Sequence, residues 1–158
     1  MHLTTLSPAP ANPLPPPVPS LSGRTLVVDD NEAIRTFLRY FFKLENLPVE
    51  IVASGPAALE RLRAAPKDFA LMITDCEMPG MTGLELARQV RALRADLPMI
   101  LFSTSVSVHG PERFLTLGFV EALPKPVGID KLRAAVRNAL ARELPPAAAP
   151  GPVSVAPA

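Results

Sequence analysis

Five polar residues stand at the ends of predicted strands, which is where parallel-sheet proteins place their ligand sites. Asp29 and Asp30 follow the first apolar run of the chain, Asp75 the third, Ser103 the fourth and Lys125 the fifth. Two carboxylates about 4 Å apart repel by about 4 kcal/mol at an effective dielectric constant of 20, so three converging acids favour a divalent cation. Mg²⁺ binds carboxylate oxygens and also accepts a phosphoryl oxygen, and Lys125 adds a positive charge. These residue types therefore indicate phosphoryl transfer, in which an aspartate can be the nucleophile.

The elements that must position these side chains alternate along the chain. Five apolar runs predict strands: RTLVV, VEIV, ALMIT, MILF and VEAL. Helical spacing predicts a helix after each strand: AIRTFLRYFFKL, PAALERLRAA, GLELARQVRAL, a weaker helix over 111–117, and IDKLRAAVRNALAR. Because runs such as LVV and LMI are apolar throughout, the sheet is predicted to be parallel and covered on both faces. The predicted fold class is α/β, a doubly wound (βα)5 sandwich around a central five-stranded parallel sheet.

The overall composition argues against several classes of function. Sixteen basic and fifteen acidic residues give a net charge of +1, which offers no electrostatic case for direct binding to nucleic acid. The apolar runs are too short for membrane insertion, and the N-terminus lacks the pattern of a secretory signal. The single cysteine, Cys76, leaves no internal disulfide and is expected to pack in the core. A cytoplasmic location is the simplest expectation.

Both ends of the chain differ in composition from its middle. Residues 1–22 carry no Asp, Glu, Lys or Arg and contain seven of the twenty prolines, and residues 145–158 contain five more. Such segments bury too little apolar surface to order themselves, so we expect disordered tails over 1–22 and 144–158. The stretch PLPPPVP also contains a PxxP motif of the kind that proline-recognition domains bind. The predicted folded domain is 23–143.

Other sites find little support in the sequence. Neither GxGxxG nor GxxxxGK[ST] occurs, which argues against dinucleotide and P-loop binding. His109 stands alone and is expected in a loop. Asn31 and Ser54 precede helical runs and are predicted N-caps.

Four segments, taken together, resemble a known family. LVVDDNEAIR, TDCEMPGMTGLEL, LPMILFSTS and LPKPV are similar, in order, to the signatures of the response regulator receiver domain of two-component signalling. The spacing agrees as well, with 28 positions from Asp75 to Ser103 and 22 from Ser103 to Lys125. The resemblance covers 24–142 and implies the flavodoxin-like strand order 2-1-3-4-5.

The resemblance implies a role for each site residue. Asp75 is the phosphoacceptor, which takes its phosphoryl group from a sensor histidine kinase or a histidine phosphotransfer protein. Asp29, Asp30 and Asp75 bind Mg²⁺ or Mn²⁺, and the backbone carbonyl of Glu77 completes the metal site. The residues implied in phosphoryl binding and switching are Ser103 and Lys125, and those that shape the loops are Pro79, Gly80, Gly83 and Pro126.

The sequence departs from the family at one position that matters for switching. Ala122 stands three residues before the lysine, where the family often has an aromatic residue that reports the position of the hydroxyl. We therefore expect signalling to use backbone and loop shifts, or one of Phe102, Phe114 and Phe119. The expected readout surface is the face formed by the fourth helix, the fifth strand and the last helix.

Three functions remain open from the sequence. The favoured one is a stand-alone phospho-accepting receiver that switches binding to an unknown protein target, because no output domain follows residue 142. The alternative is an interaction module with the receiver fold that works without phosphorylation. A phosphatase with an aspartyl nucleophile is less favoured, since Asp29-Asp30-Asn31 lacks a second acid two residues after the first.

Overall fold

Five parallel strands form the sheet at the centre of the structure, a computed structural model that describes residues 23–143. The strands are β1 (Arg24–Val28), β2 (Val49–Val52), β3 (Phe69–Thr74), β4 (Met99–Ser103) and β5 (Glu121–Pro124). Their order is β2-β1-β3-β4-β5, as the resemblance implied. The predicted tails, 1–22 and 144–158, lie outside the described residues.

Helices cover both faces of the sheet and divide the core into two clusters. The helices are α1 (Glu32–Leu44), α2 (Gly55–Ala64), α3 (Gly83–Leu93), α4 (Ser105–His109), α5 (Pro111–Leu115) and α6 (Ile129–Glu143). Side chains of α1 and α6 pack in one cluster, and those of α2 to α5 pack in the other. Neighbouring β1 residues face opposite clusters, Val27 on the α1 side and Val28 on the α2 side. The predicted α/β doubly wound sandwich is therefore confirmed.

The segment between β4 and β5 differs in part from the prediction. The weak helix predicted over 111–117 is present as α5 and ends two residues early, at Leu115. The sequence missed the short helix α4, which Gly110 separates from α5. Gly110 has φ of 78°, a left-handed conformation that ends α4, and Pro111 then begins α5. His109 was expected in a loop but is the last residue of α4. The fifth strand also begins and ends one residue later than VEAL, at Glu121 and Pro124.

Across 23–143, every helix is too short or too polar to cross a lipid bilayer.

Candidate functional site

The side chains of Asp29, Asp75 and Lys125 meet at the carboxyl edge of the sheet. The Lys125 ammonium nitrogen lies 2.6 Å from Asp29 Oδ2 and 3.5 Å from Asp75 Oδ1. Asp29 is 2% exposed and Asp75 is 8% exposed, so both carboxylates are largely withdrawn from water. Burying unpaired charges is costly, and Lys125 is the cation that offsets part of this cost. Strands β1, β3 and β5 therefore deliver complementary charges to one place.

Backbone groups on both sides hold Asp29 in position. Its amide donates to the carbonyl of Val52 at 3.2 Å, and its Oδ1 accepts from the amide of Asn31 at 2.9 Å. Arg35 of α1 donates from Nη1 to the Asp29 carbonyl at 2.9 Å. Burial raises the pKa of Asp29 above its ordinary value, although Lys125 and the Asn31 amide act in the opposite direction.

Sequence reasoning missed the role of Arg35 and found only one role of Asn31. The Asn31 side chain caps α1, as predicted, by accepting from the amides of Ala33 and Ile34. The backbone amide of Asn31 also donates to Asp29 Oδ1, so the residue that begins α1 also positions the acid. The spacing of Arg35, one helical turn into α1, was the only signal in the sequence for its contact with the Asp29 carbonyl.

The two oxygens of the Asp75 carboxylate have different surroundings. Oδ1 accepts from the Cys76 amide at 2.8 Å and lies on the side of Lys125. Within residues 23–143, Oδ2 accepts no hydrogen bond. The Asp75 backbone is also fixed, because its amide donates to the Val28 carbonyl at 3.0 Å. One oxygen is thus anchored, and the other is left for an incoming group.

Three carboxylates at this edge fit a hard divalent cation. One oxygen from each of Asp29, Asp30 and Asp75 lies within 4.8 Å of the others. Asp30 is exposed, whereas the other two acids are buried. Carboxylate oxygens open to water on one side suit Mg²⁺, which keeps several waters when it binds. The cluster could therefore hold a metal ion.

The loop between β3 and α3 passes very close to Asp75. A Cβ atom added to Gly83 would lie 1.8 Å from the Asp75 carbonyl oxygen, so only glycine fits there. The Gly83 amide donates to the Cys76 carbonyl at 2.8 Å, which holds the start of α3 against this loop. Gly80 has φ of 80°, which a glycine adopts without strain. Thr82 starts α3 as half of a capping box with Glu85.

Ser103 lies beneath the site and does not line it. Its side chain is fully buried, and its Oγ accepts from the Ser105 amide at 3.3 Å. Ser105 donates its own hydroxyl to Glu77 Oε1 at 2.7 Å, so α4 is bonded to the loop after Asp75. This contact joins positions 28 residues apart and had no signal in the sequence.

An open cleft of about 450 Å³ lies above the carboxylates. Its lining residues come from α1 and from the segments that follow β1, β3, β4 and β5, and are Asp30, Asn31, Ile34, Asp75, Glu77, Thr104, Lys125 and Pro126. Glu77 lines this cleft, and the sequence pointed to its backbone carbonyl. The Lys125–Pro126 peptide bond is cis. Pro79 is exposed in the loop after Asp75.

The residues considered for switching lie in different parts of the core. Ala122 is 6% exposed and packs in the same cluster as Phe114 and Phe119. Phe102 packs on the opposite side of the sheet, and Lys125 Nζ lies 5.4 Å from the centre of its ring. Phe102 is thus the aromatic residue that contacts the site lysine.

Curated relatives carry the same domain as part of longer chains. The virulence sensor protein BvgS of Bordetella pertussis is 37% identical over 160 aligned residues, which cover 96% of this chain and 12% of BvgS. The response regulator MprA of Mycobacterium tuberculosis is 35% identical over 129 residues, which cover 82% of this chain and 55% of MprA. The chain therefore spans about an eighth of BvgS and about half of MprA.

Solved structures show the same fold. A response regulator receiver protein from Pseudomonas putida has a TM-score of 0.66 and 32% identity, covering 75% of this chain and 98% of that one. The response regulator TrrA from Thermotoga maritima was solved in complex with Mg(2+)-BeF. It has a TM-score of 0.66 and 28% identity, and the match covers 74% of this chain and 98% of that one. The sequence profile of the response regulator receiver domain matches residues 25–137. On this match and these relatives, the chain belongs to the response regulator receiver domain family of two-component signalling.

Proposed function

We propose that Asp75 accepts a phosphoryl group with the help of Mg²⁺ or Mn²⁺. The observation that carries this proposal is the asymmetry of the Asp75 carboxylate. Oδ1 is held by the Cys76 amide, while Oδ2 accepts no hydrogen bond within 23–143 and belongs to a residue that lines the cleft. A nucleophile needs such a free oxygen on a fixed side chain.

The donor in this proposal is a phosphohistidine on a sensor histidine kinase or a histidine phosphotransfer protein. Asp75 Oδ2 attacks the phosphorus, the new O–P bond forms, and the P–N bond to the imidazole breaks. The bonding electrons leave with the imidazole nitrogen, and a proton on the ring keeps the released histidine neutral. The transferred phosphoryl oxygens bring their negative charge to the Asp75 side. Lys125, 3.5 Å from Asp75 Oδ1, is placed to neutralise part of that charge.

Asp29, Asp30 and Asp75 would hold the cation, with the backbone carbonyl of Glu77 as a further ligand. Bound there, the cation would supply positive charge to the phosphoryl oxygens. The proximity of the three carboxylates, with oxygens within 4.8 Å, supports this assignment. Pro79, Gly80 and Gly83 would shape the loop that presents the Glu77 carbonyl.

Phosphorylation would then change the loop that follows β4. A phosphoryl group adds about 1.5 to 2 negative charges at pH 7, together with acceptor oxygens. The Ser103 hydroxyl would hydrogen-bond these oxygens, which requires the buried serine and the attached start of α4 to move. Moving a population from 1:99 to 99:1 needs about 5.5 kcal/mol, which a few charge-assisted hydrogen bonds can supply.

The change would be read by another protein at the face of α5, which is the fourth predicted helix, together with β5 and α6. We place this exchange in the cytoplasm, where the single thiol of Cys76 stays reduced. In this arrangement the domain acts by binding a protein target.

Intact-mass spectrometry after incubation with acetyl phosphate or phosphoramidate and Mg²⁺ tests the proposal. We expect one added phosphoryl group, absent in Asp75→Asn and retained in Asp68→Asn, a matched change at an exposed acid. The proposal is wrong if no donor gives an adduct while the protein is folded. Steady turnover of a phosphomonoester would instead favour the aspartyl phosphatase.

Ala122 favours a second candidate, a receiver fold whose protein contacts do not depend on phosphorylation. The small side chain is buried in the core and offers no aromatic ring to report the site. Identical partner affinity for the phosphorylated and unphosphorylated proteins would select this candidate.

A further inference from the structure

A second groove lies between α3 and the segment that joins α5 to β5. Its volume is about 460 Å³, and it shares no lining residue with the cleft at Asp75. Leu84, Ala87 and Phe119 contribute apolar surface, and Leu117 stands at the side with 53% of its surface exposed. We call this site the α3 groove. An exposed leucine beside an apolar groove is a common feature of surfaces that bind other molecules.

Arg91 fixes the shape of the α3 groove. Its Nη2 donates to the Gly118 carbonyl at 2.7 Å, and its Nη1 donates to the carbonyls of Ala95 and Leu97 at 2.8 and 3.3 Å. Gly118 lies between Leu117 and Phe119, so this bond ties the α5–β5 segment to α3. The groove is therefore formed before any ligand arrives, which lowers the entropic cost of binding.

The groove carries positive charge that none of its own lining residues balances. Arg88 and Arg91 line it, and none of its lining residues is acidic. Within residues 23–143, neither arginine forms a salt bridge. The nearby Asp96 is paired with Arg94 at 2.9 Å. Carbonyl groups orient the Arg91 guanidinium without cancelling its charge. An anion that enters the groove therefore meets two cations, the oriented Arg91 and the exposed Arg88.

We propose that the α3 groove binds a segment of another protein that presents an apolar side chain next to one or more carboxylates. The apolar side chain would pack against Leu84, Ala87 and Phe119 under Leu117. The carboxylates would pair with Arg88 and with the free donors of Arg91. The groove shares no lining residue with the cleft at Asp75, and the proposal concerns the unphosphorylated protein.

The chemistry of the groove favours a peptide over the other anionic ligands. Its volume suits one or two side chains. Nucleic acid would call for a longer basic track, and it would stack bases on exposed rings, whereas Phe119 is 3% exposed. A lipid surface would call for a broad basic and apolar face beyond two arginines.

A peptide library displayed on phage and selected against the unphosphorylated full chain tests the proposal. We expect enriched peptides that combine an apolar residue with neighbouring Asp or Glu. The affinity of a selected peptide, measured by fluorescence anisotropy, should fall at least about tenfold in Arg88→Glu/Leu117→Ser. The matched control is Arg63→Glu/Leu44→Ser, which changes an exposed arginine and a leucine of 54% exposure and should bind normally.

Several outcomes would overturn the proposal. One is a library with no enriched peptide, or with enriched peptides that carry no acid. Another is equal affinity in the groove variant and the control. A third is selective loss, in the groove variant, of self-association or of binding to single-stranded DNA or phosphatidylglycerol vesicles in place of peptide. Circular dichroism shows whether both double variants are folded, and the phosphorylation assay remains an independent readout of the Asp75 site.

Discussion

Lys125 Nζ lies nearer to Asp29 than to the proposed phosphoacceptor, at 2.6 Å from Asp29 Oδ2 and 3.5 Å from Asp75 Oδ1. Both side chains of the shorter pair are largely buried, at 12% and 3% exposure. The lysine therefore compensates the more deeply buried of these two acids. Asp29 is also a proposed metal ligand, so its carboxylate has two proposed roles at this edge of the sheet.

Replacing Asp29 by asparagine is expected to raise the thermal stability of the metal-free protein at neutral pH. Because burial raises the pKa of Asp29, the Asp29 carboxyl group holds its proton more tightly in the folded state than in the unfolded state. The contribution of Asp29 to stability is thus fully present below its unfolded pKa and is lost as the pH rises through its folded pKa. Thermal melts in EDTA between pH 4 and pH 8 should show a gain for Asp29→Asn that grows with pH. A gain that shrinks with pH would contradict the prediction.

Replacing Lys125 by glutamine should have the opposite effect on stability. The change leaves the buried Asp29 carboxylate without its cation, which costs about 3 kcal/mol for a largely buried pair. Urea denaturation measures this loss. The double variant Asp29→Asn/Lys125→Gln should recover most of it, because the buried charge is removed together with its partner. A double variant whose change in stability equals the sum of the two single changes would show that the two groups do not interact.

Mg²⁺ should stabilise the wild-type protein in a concentration-dependent way. A ligand that binds only the folded state raises the unfolding free energy by about 2.7 kcal/mol at 100 times its Kd. Asp30→Asn should weaken the effect, since this exposed acid is a proposed metal ligand. The control is Asp68→Asn, which should respond to Mg²⁺ as the wild type does. An equal Mg²⁺-induced thermal shift in Asp30→Asn and in the control would show that Asp30 is not a metal ligand.

Gly83→Ala should destabilise the fold by about 3 kcal/mol and slow phosphorylation of Asp75. The added Cβ would overlap the Asp75 carbonyl oxygen at 1.8 Å, so the backbone that carries the phosphoacceptor must move. Gly128→Ala is the matched control, because a Cβ there meets no atom within 4 Å. Chemical denaturation and the rate of adduct formation measure the two effects. An equal free energy of unfolding in the two variants would show that the backbone at Gly83 can shift without cost.

Cys76 should react slowly with iodoacetamide in the native protein. Burial raises the pKa of its thiol, and the neighbouring acids Asp75 and Glu77 act in the same direction. A raised pKa lowers the thiolate fraction at pH 8, and only the thiolate attacks the reagent. Intact mass should show much faster alkylation of the chain in urea than of the folded protein. Equal rates in the two conditions would mean that the thiol is neither buried nor perturbed.

Local sequence patterns accounted for most of the architecture. Apolar runs such as LVV and LMI identify buried parallel strands, and an acid that follows such a run must lie at the carboxyl edge. Asn31 and Ser54 were predicted as N-caps and cap α1 and α2 in the structure. The helix that begins at Pro111 was predicted and is α5, whereas the short helix α4 before Gly110 was missed.

The sequence by itself determined which residue types reach the edge of the sheet. The apolar runs and their order along the chain show where each strand ends and which polar residue follows it. Only the tertiary structure decided how those residues pair. It placed Lys125 closest to Asp29, it bonded Ser105 to Glu77 across 28 positions, and it left Asp75 Oδ2 free of hydrogen bonds within 23–143. These contacts depend on loop paths and side-chain directions that packing fixes between distant segments, and no local pattern records them.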